Sequence, residues 1–95
     1  MNTLEKATEW ADSMEYPLLC LGGDEEERQR FASAFLGVTN ETPHRAVYSE
    51  DEVVKAFIKH DGMTWEEAVE YFEFNVRGAY MGEQTPLFIM SFESH

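Results

Sequence analysis

Two glycines followed by a run of acids form the first pattern in this chain whose residue types could do chemistry. Gly22-Gly23 precedes Asp24 and the three glutamates at positions 25–27. A phosphate-binding loop needs a lysine and a wider glycine spacing, and this string has neither. Asp24 and Glu27 instead have the spacing of a helix capping box, and the helix dipole favours acids in the first turn. We interpret these acids as the start of a helix rather than as a catalytic or nucleotide-binding site.

Histidine and cysteine, which most often ligate metals or activate nucleophiles, are scattered along the chain. His44, His60 and His95 are far apart, and Cys20 is the single cysteine. A metal site needs clustered ligands, and nucleophilic catalysis needs a thiol or hydroxyl beside a base. Cys20 lies in the apolar run 18–21, where a buried structural thiol is more common than a reactive one. We therefore predict a non-enzymatic protein with no catalytic residues, no metal and no cofactor.

Apolar residues at three- and four-residue spacing, together with capping residues, predict four helices. Thr3 is placed to cap the first helix. Ser49 and Thr64 each stand three residues before a glutamate, which is the spacing of a capping box. The predicted helices cover residues 3–15, Asp24 to Gly37, Ser49 to Asp61, and Thr64 to about Met81.

Three short segments predict strands. They are the apolar run 18–21, residues 45–48 and the C-terminal segment 86–92, with a polar loop over 38–44. The length of 95 residues fits one domain. We predict a single acidic α+β domain over residues 1–95, with about four helices packed on a small sheet of about three strands. The pattern leaves the order of the strands open.

The fourth predicted helix carries two apolar stripes. At ~100° per residue, the wider stripe is centred on Trp65 and is predicted to face the core. Its members are Trp65, Ala68, Val69, Phe72, Val76, Ala79 and Tyr80. One flank of the helix gathers Glu66, Glu70, Glu73 and Arg77. The opposite flank carries the second stripe, which consists of Tyr71, Phe74, Gly78 and Met81.

The second stripe admits two interpretations, because a helix packed on one side is normally polar on the other. Either the first helix or the terminal strand covers it, as is common in so small a domain, or it is an exposed apolar patch bordered by acids. Such a patch would serve as a dimer or partner interface. Asn75, at the edge of the core-facing stripe, is predicted to hydrogen bond to neighbouring backbone. The alternative is a ligand pocket around Asn75 and Tyr80.

The charge of the chain argues against direct binding of nucleic acid. Nineteen acids and seven bases give a formal net charge of −12, and lysine and arginine do not cluster. The acidity either maintains solubility or attracts a basic partner surface. One helix is too short to imitate a duplex. A nucleic-acid mimic would therefore need the acidic groups Glu25–Glu27, Glu50–Glu52 and Glu66–Glu73 to lie in line.

The location predicted from the sequence is the cytoplasm. No apolar run approaches the ~20 residues of a membrane span. The first residues lack the basic start and apolar stretch of a signal peptide. The lone Cys20 excludes an internal disulfide, which fits a reducing compartment.

Two segments of the chain are similar to a known protein family. Residues 61–75 contain DGMT-x-EEA-x-EYFEFN, residues 78–86 contain GAY-x-GE-x-TP, and the pieces 35–38 and 46–48 fit the same pattern. These motifs resemble a family of short, functionally uncharacterised proteins encoded by bacteria and their phages. The resemblance covers roughly residues 35–90, and the N-terminal third departs from it. It implies a phage or mobile-element context and brings no catalytic residues.

By analogy with small acidic phage proteins that block host defences, we expect an anti-CRISPR-like inhibitor of a host nucleic-acid-handling complex. It would bind a basic surface in the host cytoplasm, either by steric occlusion or as a nucleic-acid mimic. The predicted partner-binding residues are Glu25, Glu26, Glu66, Glu70, Tyr71, Glu73, Phe74 and Met81. The alternative is a structural or regulatory module that forms a homodimer through the second stripe. A small enzyme or ligand-binding protein that uses Asn75 and Tyr80 is the third hypothesis.

Overall fold

The computed structural model of the chain describes residues 2–79 and 82–90. Its α-helices are α1 (Thr3–Ser13), α2 (Glu25–Arg30), α3 (Glu50–Asp61) and α4 (Trp65–Tyr71), and its strands are β1 (Phe35–Val38), β2 (Ala46–Ser49) and β3 (Leu87–Ile89). A 3-10 turn spans Ala32–Ala34, and a π-helix over Phe72–Arg77 continues α4. Within the described residues, four α-helices and a three-stranded mixed sheet confirm the predicted α+β class.

Strand β2 lies at the centre of the sheet, which has the order β1-β2-β3. β1 runs antiparallel to β2, and the register shifts between Phe35 and Gly37. β3 runs parallel to β2, with Val47 opposite Leu87 and Ser49 opposite Ile89. Parallel neighbours need a long crossover connection. Here α3, α4 and the π-helix form that crossover, and α3 packs against α4.

Tyr48, on the central strand, is the middle of the core. Its side chain is fully buried, and its ring lies 5.4 Å from the ring of Phe35 and 6.1 Å from that of Phe88. The ring of Phe72, from the π-helix, meets the ring of Phe88 at 5.0 Å. The backbone N–H of Leu21 donates a 3.0 Å hydrogen bond to the Tyr48 hydroxyl. One residue thus joins all three strands, the crossover and the N-terminal segment.

The helix predicted from Asp24 to Gly37 is wrong in its C-terminal half. α2 ends at Arg30, and the chain then forms the 3-10 turn and strand β1 instead of continuing as a helix to Gly37. The strand buries Phe35 and pairs its backbone with β2. Gly37 and Val38 have low helix propensity, so the gain from strand pairing prevails there. Part of the loop predicted over 38–44 is therefore strand.

The strand predicted over residues 18–21 is also absent. This segment forms no regular secondary structure and pairs with no described strand, although Leu21 is buried and Leu18 and Cys20 are partly buried. The N–H of Leu21 is satisfied by a side chain, the Tyr48 hydroxyl, rather than by a neighbouring backbone. The apolar pattern therefore predicted burial correctly and strand pairing wrongly.

Most of the predicted helix starts are confirmed. Asp24, Ser49 and Thr64 each accept a hydrogen bond from the backbone N–H three residues later. The first helix is an exception, because Asn2 rather than Thr3 is its cap. The last strand is shorter than predicted and covers Leu87–Ile89, and residues 91–92 of that prediction lie outside the described residues.

Removing the Tyr48 hydroxyl tests its part in the core. Tyr48→Phe leaves the N–H of buried Leu21 without an acceptor, so we expect the free energy of unfolding to fall by ~1–3 kcal/mol. Tyr16→Phe is a matched control, because the Tyr16 hydroxyl donates to the half-buried His44 carbonyl, which water can reach. Urea denaturation measures both variants. An equal or larger loss for Tyr16→Phe would contradict the assigned role of Tyr48.

Alkaline pH should weaken the fold. Burial raises the pKa of the Tyr48 hydroxyl and of the Cys20 thiol above their ordinary values of 10.0 and 9.0. Because both folded pKa values are raised, the stability is fully present below about pH 9 and is lost as the pH rises towards the folded values. The double variant Tyr48→Phe, Cys20→Ala should lose less of its stability between pH 8 and pH 11 than the parent chain. Urea denaturation at each pH measures the free energy of unfolding. An equal loss of stability in the double variant and the parent chain would show that ionisation of Tyr48 and Cys20 is not the cause.

Candidate functional site

Helix α4 and its π-helical continuation present one face to the core and one face outward. Thr64 and Glu67 form the predicted capping box, with the Thr64 hydroxyl accepting from Glu67 N–H at 3.2 Å and the Glu67 carboxylate accepting from Thr64 N–H at 2.9 Å. Ala68 and Phe72 are fully buried on the inner face. The π-helix then carries the chain over Phe72–Arg77, beyond which the predicted residues Tyr80 and Met81 lie outside the described residues.

The prediction that Trp65 lies at the centre of the core-facing stripe is wrong. Its side chain is 54% exposed, whereas Ala68 and Phe72 are buried and Val69 and Val76 are half-buried. Trp65 is the first residue of α4, directly after the Thr64 cap and three residues before Ala68, the buried residue of this helix. The core face is thus narrower than predicted and excludes Trp65. Its place directly after the cap is the sequence feature that could have indicated its exposure.

The second apolar stripe is mainly exposed. Phe74 is 77% exposed and Tyr71 is 43% exposed, although the edge of the Tyr71 ring meets Phe57 of α3 at 5.0 Å. Gly78 is also exposed, and Met81 lies outside the described residues. Among the described residues, no segment covers Phe74. The structure therefore favours the interpretation of an exposed aromatic patch over that of a sandwiched helix.

The predicted acidic flank lies beside these rings. Glu66, Glu70 and Glu73 are all exposed, and within the described residues Glu66 and Glu70 form no ion pair. Glu73 shares Arg77 with Glu50 at the start of α3, with a distance of 3.4 Å from the Arg77 guanidinium to Glu73. The flank thus carries two carboxylates with no cation of their own chain beside them. Exposed unpaired carboxylates attract a basic surface.

The exposed rings and the carboxylates line a common hollow. A shallow depression is bordered by Trp65, Glu66, Val69, Glu70, Glu73 and Phe74. A second depression shares Glu70 and Phe74 with it and continues towards Tyr71 and Asn75. We call Trp65, Glu66, Val69, Glu70, Glu73 and Phe74 the α4 outer face. Apolar rings surrounded by polar groups are the usual composition of a protein-binding surface.

Asn75 does not occupy a deep pocket. Its side chain is exposed on the rim of the second depression, and the hydrogen bond to neighbouring backbone predicted for it is not formed within the described residues. Tyr80, its predicted companion, lies outside them. The geometry offers little support for the ligand-pocket hypothesis.

In each of the two other predicted acidic groups, two of the three acids already pair with a cation of the chain. On α2, Glu25 pairs with Arg28 at 3.4 Å and Glu26 with Arg30 at 3.9 Å. On α3, Glu50 pairs with Arg77 and Glu52 pairs with Lys55. The predicted partner-binding residues Glu25 and Glu26 therefore lie apart from a bare acidic surface. These ion pairs count against a continuous row of unpaired charges along the three predicted groups.

The groups considered for catalysis or metal binding are held in structural contacts. Cys20 is half-buried and burial raises the pKa of its thiol, which disfavours the reactive thiolate. The His44 ring packs edge-on against Trp10 and Tyr16, and its Nδ1 lies 2.7 Å from the Thr39 carbonyl oxygen. In the described part of the chain, no three potential ligands cluster for a metal ion. None of the helices described is long and apolar enough to cross a membrane.

Comparison with family models, curated proteins and solved structures finds no match to this chain. The similarity of residues 35–90 to short bacterial and phage proteins stays a prediction. The α4 outer face is therefore the observation on which a functional proposal rests. It combines exposed rings and unpaired carboxylates on α4 and its π-helical continuation.

Substitutions of Phe72 and Phe74 test which of the two rings belongs to the core. Phe72→Ala removes a ring that is 1% exposed and should lower the free energy of unfolding by ~3–5 kcal/mol. Phe74→Glu changes a ring that is 77% exposed and should alter it by less than ~0.5 kcal/mol. Urea denaturation followed by circular dichroism measures both changes. Unfolding of the Phe74→Glu variant would place Phe74 in the core and remove the candidate face.

Proposed function

We propose that the chain is a non-enzymatic binding protein whose α4 outer face docks on a basic surface of a partner protein. The partner we propose is a host complex that handles nucleic acid in the cytoplasm, which the chain inhibits in the manner of phage anti-defence, anti-CRISPR-like proteins. The observation that carries the proposal is the exposure of Phe74 and Trp65 beside the unpaired carboxylates of Glu66 and Glu70.

The rings and the carboxylates would contribute different parts of the binding. Burial of exposed apolar surface stabilises a complex by ~25 cal/mol per Å², and aromatic residues dominate interface hot spots. Carboxylates that form no ion pair within the chain attract a basic surface, orient it during docking and raise the association rate. Trp65 and Phe74 are therefore assigned to affinity, and Glu66 and Glu70 to orientation and partner choice.

The overall charge supports a nucleic-acid-handling partner. A protein that binds phosphates must present lysine and arginine, and a chain of net charge −12 is attracted to such a surface. By occupying that surface, the chain would exclude the nucleic acid without itself binding phosphate. The similarity of residues 35–90 to phage-encoded proteins supports an anti-defence setting. A mimic of an extended duplex would need the acids of α2 and α3 to be unpaired, but most of them pair with cations of the chain. Steric occlusion by the α4 outer face needs no such row of charges and is therefore the mode of inhibition that we propose.

A homodimer is the second candidate, favoured by the exposure of Phe74 and Tyr71. In a two-fold interface the same surface is contributed by both copies. In a dimer through Tyr71 and Phe74, Glu70 of each copy would lie at the interface, because it borders the depressions beside both rings. The repulsion between those carboxylates disfavours this arrangement, and we therefore rank a basic partner first.

Capture of the partner from lysate of a bacterial host tests the proposal. We expect the tagged chain to recover a basic nucleic-acid-handling complex at ~0.1 M salt and to release it at ~1 M, since the Debye length falls from ~10 Å to ~3 Å. The variant Glu66→Gln, Glu70→Gln should weaken binding of the purified complex about 2- to 30-fold, as two exposed ion pairs are lost. Mass spectrometry identifies the complex, and titration calorimetry gives the affinities.

The matched control is Glu25→Gln, Glu26→Gln, which removes the same charge from α2. Because Arg28 and Arg30 already pair with these acids, we expect nearly unchanged binding. Equal losses for both double variants would show an effect of net charge alone and contradict the assigned face. Recovery of the chain alone, with a concentration-dependent dimer in solution, would favour the homodimer instead.

A further inference from the structure

The hollow of the α4 outer face combines two properties that both attract a cation. Its rings, Trp65 and Phe74, offer π-faces to a positive charge, and Glu66, Glu70 and Glu73 offer carboxylates. An acidic flank alone is an ordinary solvated helix surface, and exposed rings alone are an ordinary apolar patch. Here the rings and the carboxylates line one depression together with Val69.

The cations of the chain itself leave this hollow open. All seven lysines and arginines lie within the described residues. Arg28, Arg30, Lys55 and Arg77 form the ion pairs on α2, α3 and the π-helix, and Arg45 donates to the Thr85 carbonyl at 2.6 Å. Of these five, only Arg77 pairs with an acid of the hollow, Glu73. The remaining two, Lys6 and Lys59, are exposed and form no ion pair within the described residues. Glu66, Glu70 and both rings remain available to a cation from another molecule.

We propose that this hollow seats arginine side chains of a basic helical segment in the partner, an inference that rests on the proposed function. Glu66 and Glu70 are one helical turn apart, which is ~6 Å along the axis. One guanidinium placed between them can pair with a carboxylate while it stacks on Trp65. A second arginine, one turn further along the partner, meets Phe74 and Glu70.

Arginine fits this hollow better than lysine for geometric reasons. The guanidinium is planar, stacks on aromatic faces and pairs with carboxylates through two parallel hydrogen bonds. The lysine ammonium is a compact, strongly hydrated charge that stacks poorly. The face therefore selects arginine-bearing segments, of the kind with which proteins bind nucleic acid, over basic surfaces in general.

A pair of synthetic helical peptides tests the proposal with the full chain. One is an alanine-rich peptide with arginines at four-residue spacing, and the other has lysine at the same positions. Calorimetry at ~0.1 M salt should show the arginine peptide binding about five- to tenfold more tightly. Trp65→Leu, which keeps an apolar side chain and every charge, should weaken the arginine peptide about threefold and leave the lysine peptide nearly unchanged. Met14→Ala, an exposed apolar residue of the α1 end, is the control and should change neither affinity.

The outcomes separate this inference from the proposed function. If both peptides bind equally and Trp65→Leu changes nothing, while Glu66→Gln, Glu70→Gln weakens both, arginine selectivity is overturned and charge-driven docking on α4 stands. If neither peptide binds, or if binding is insensitive to every change on the α4 outer face, both are overturned. Phe74→Leu is a second ring variant, and circular dichroism confirms that each variant folds. Self-association that excludes the peptides would identify a second copy as the occupant and overturn the inference.

Discussion

The burial of Tyr48 on the central strand is the constraint on which the rest of this fold depends. Its ring bridges Phe35 of β1 and Phe88 of β3, and Phe88 carries the contact on to Phe72 of the π-helix. Its hydroxyl holds the N–H of Leu21 and so anchors a segment that belongs to no strand. A sheet of strands only three or four residues long has few backbone hydrogen bonds, so these ring contacts supply much of its cohesion.

The same core explains why an aromatic surface remains outside. Phe72 reaches Phe88 from the inner side of the π-helix, and Arg77 ties that segment to Glu50 at the start of α3. These contacts fix the rotation of the helix about its axis, so Phe74 must point away from the core. The exposed rings are therefore a consequence of how the inner face packs, and the acids beside them keep that face hydrated when it is free.

The sequence predicted those features that depend on local chemistry. Asp24, Ser49 and Thr64 cap helices because each side chain needs only a backbone three residues away, and the α+β class followed from the same pattern. Features that depend on distant partners were mistaken. Residues 35–38 became a strand because β2 lies beside them, and residues 18–21 did not because a tyrosine hydroxyl replaces the neighbouring strand. On α4 the acidic flank was predicted, and Phe74 was left open between a covered and an exposed position. Trp65 was assigned to the core because an ideal wheel takes no account of the helix end.

The central claim is that the rings of Trp65 and Phe74 are exposed to solvent, whereas the rings of Tyr48 and Phe72 are buried in the core. Side-chain NMR with a soluble paramagnetic agent measures this directly, since it broadens ring protons in proportion to their contact with solvent. The account predicts strong broadening for Trp65 and Phe74 and protection of Tyr48 and Phe72 in the same sample. Equal protection of Phe74 and Phe72 would show that the stripe is covered, and the binding face described above would not exist.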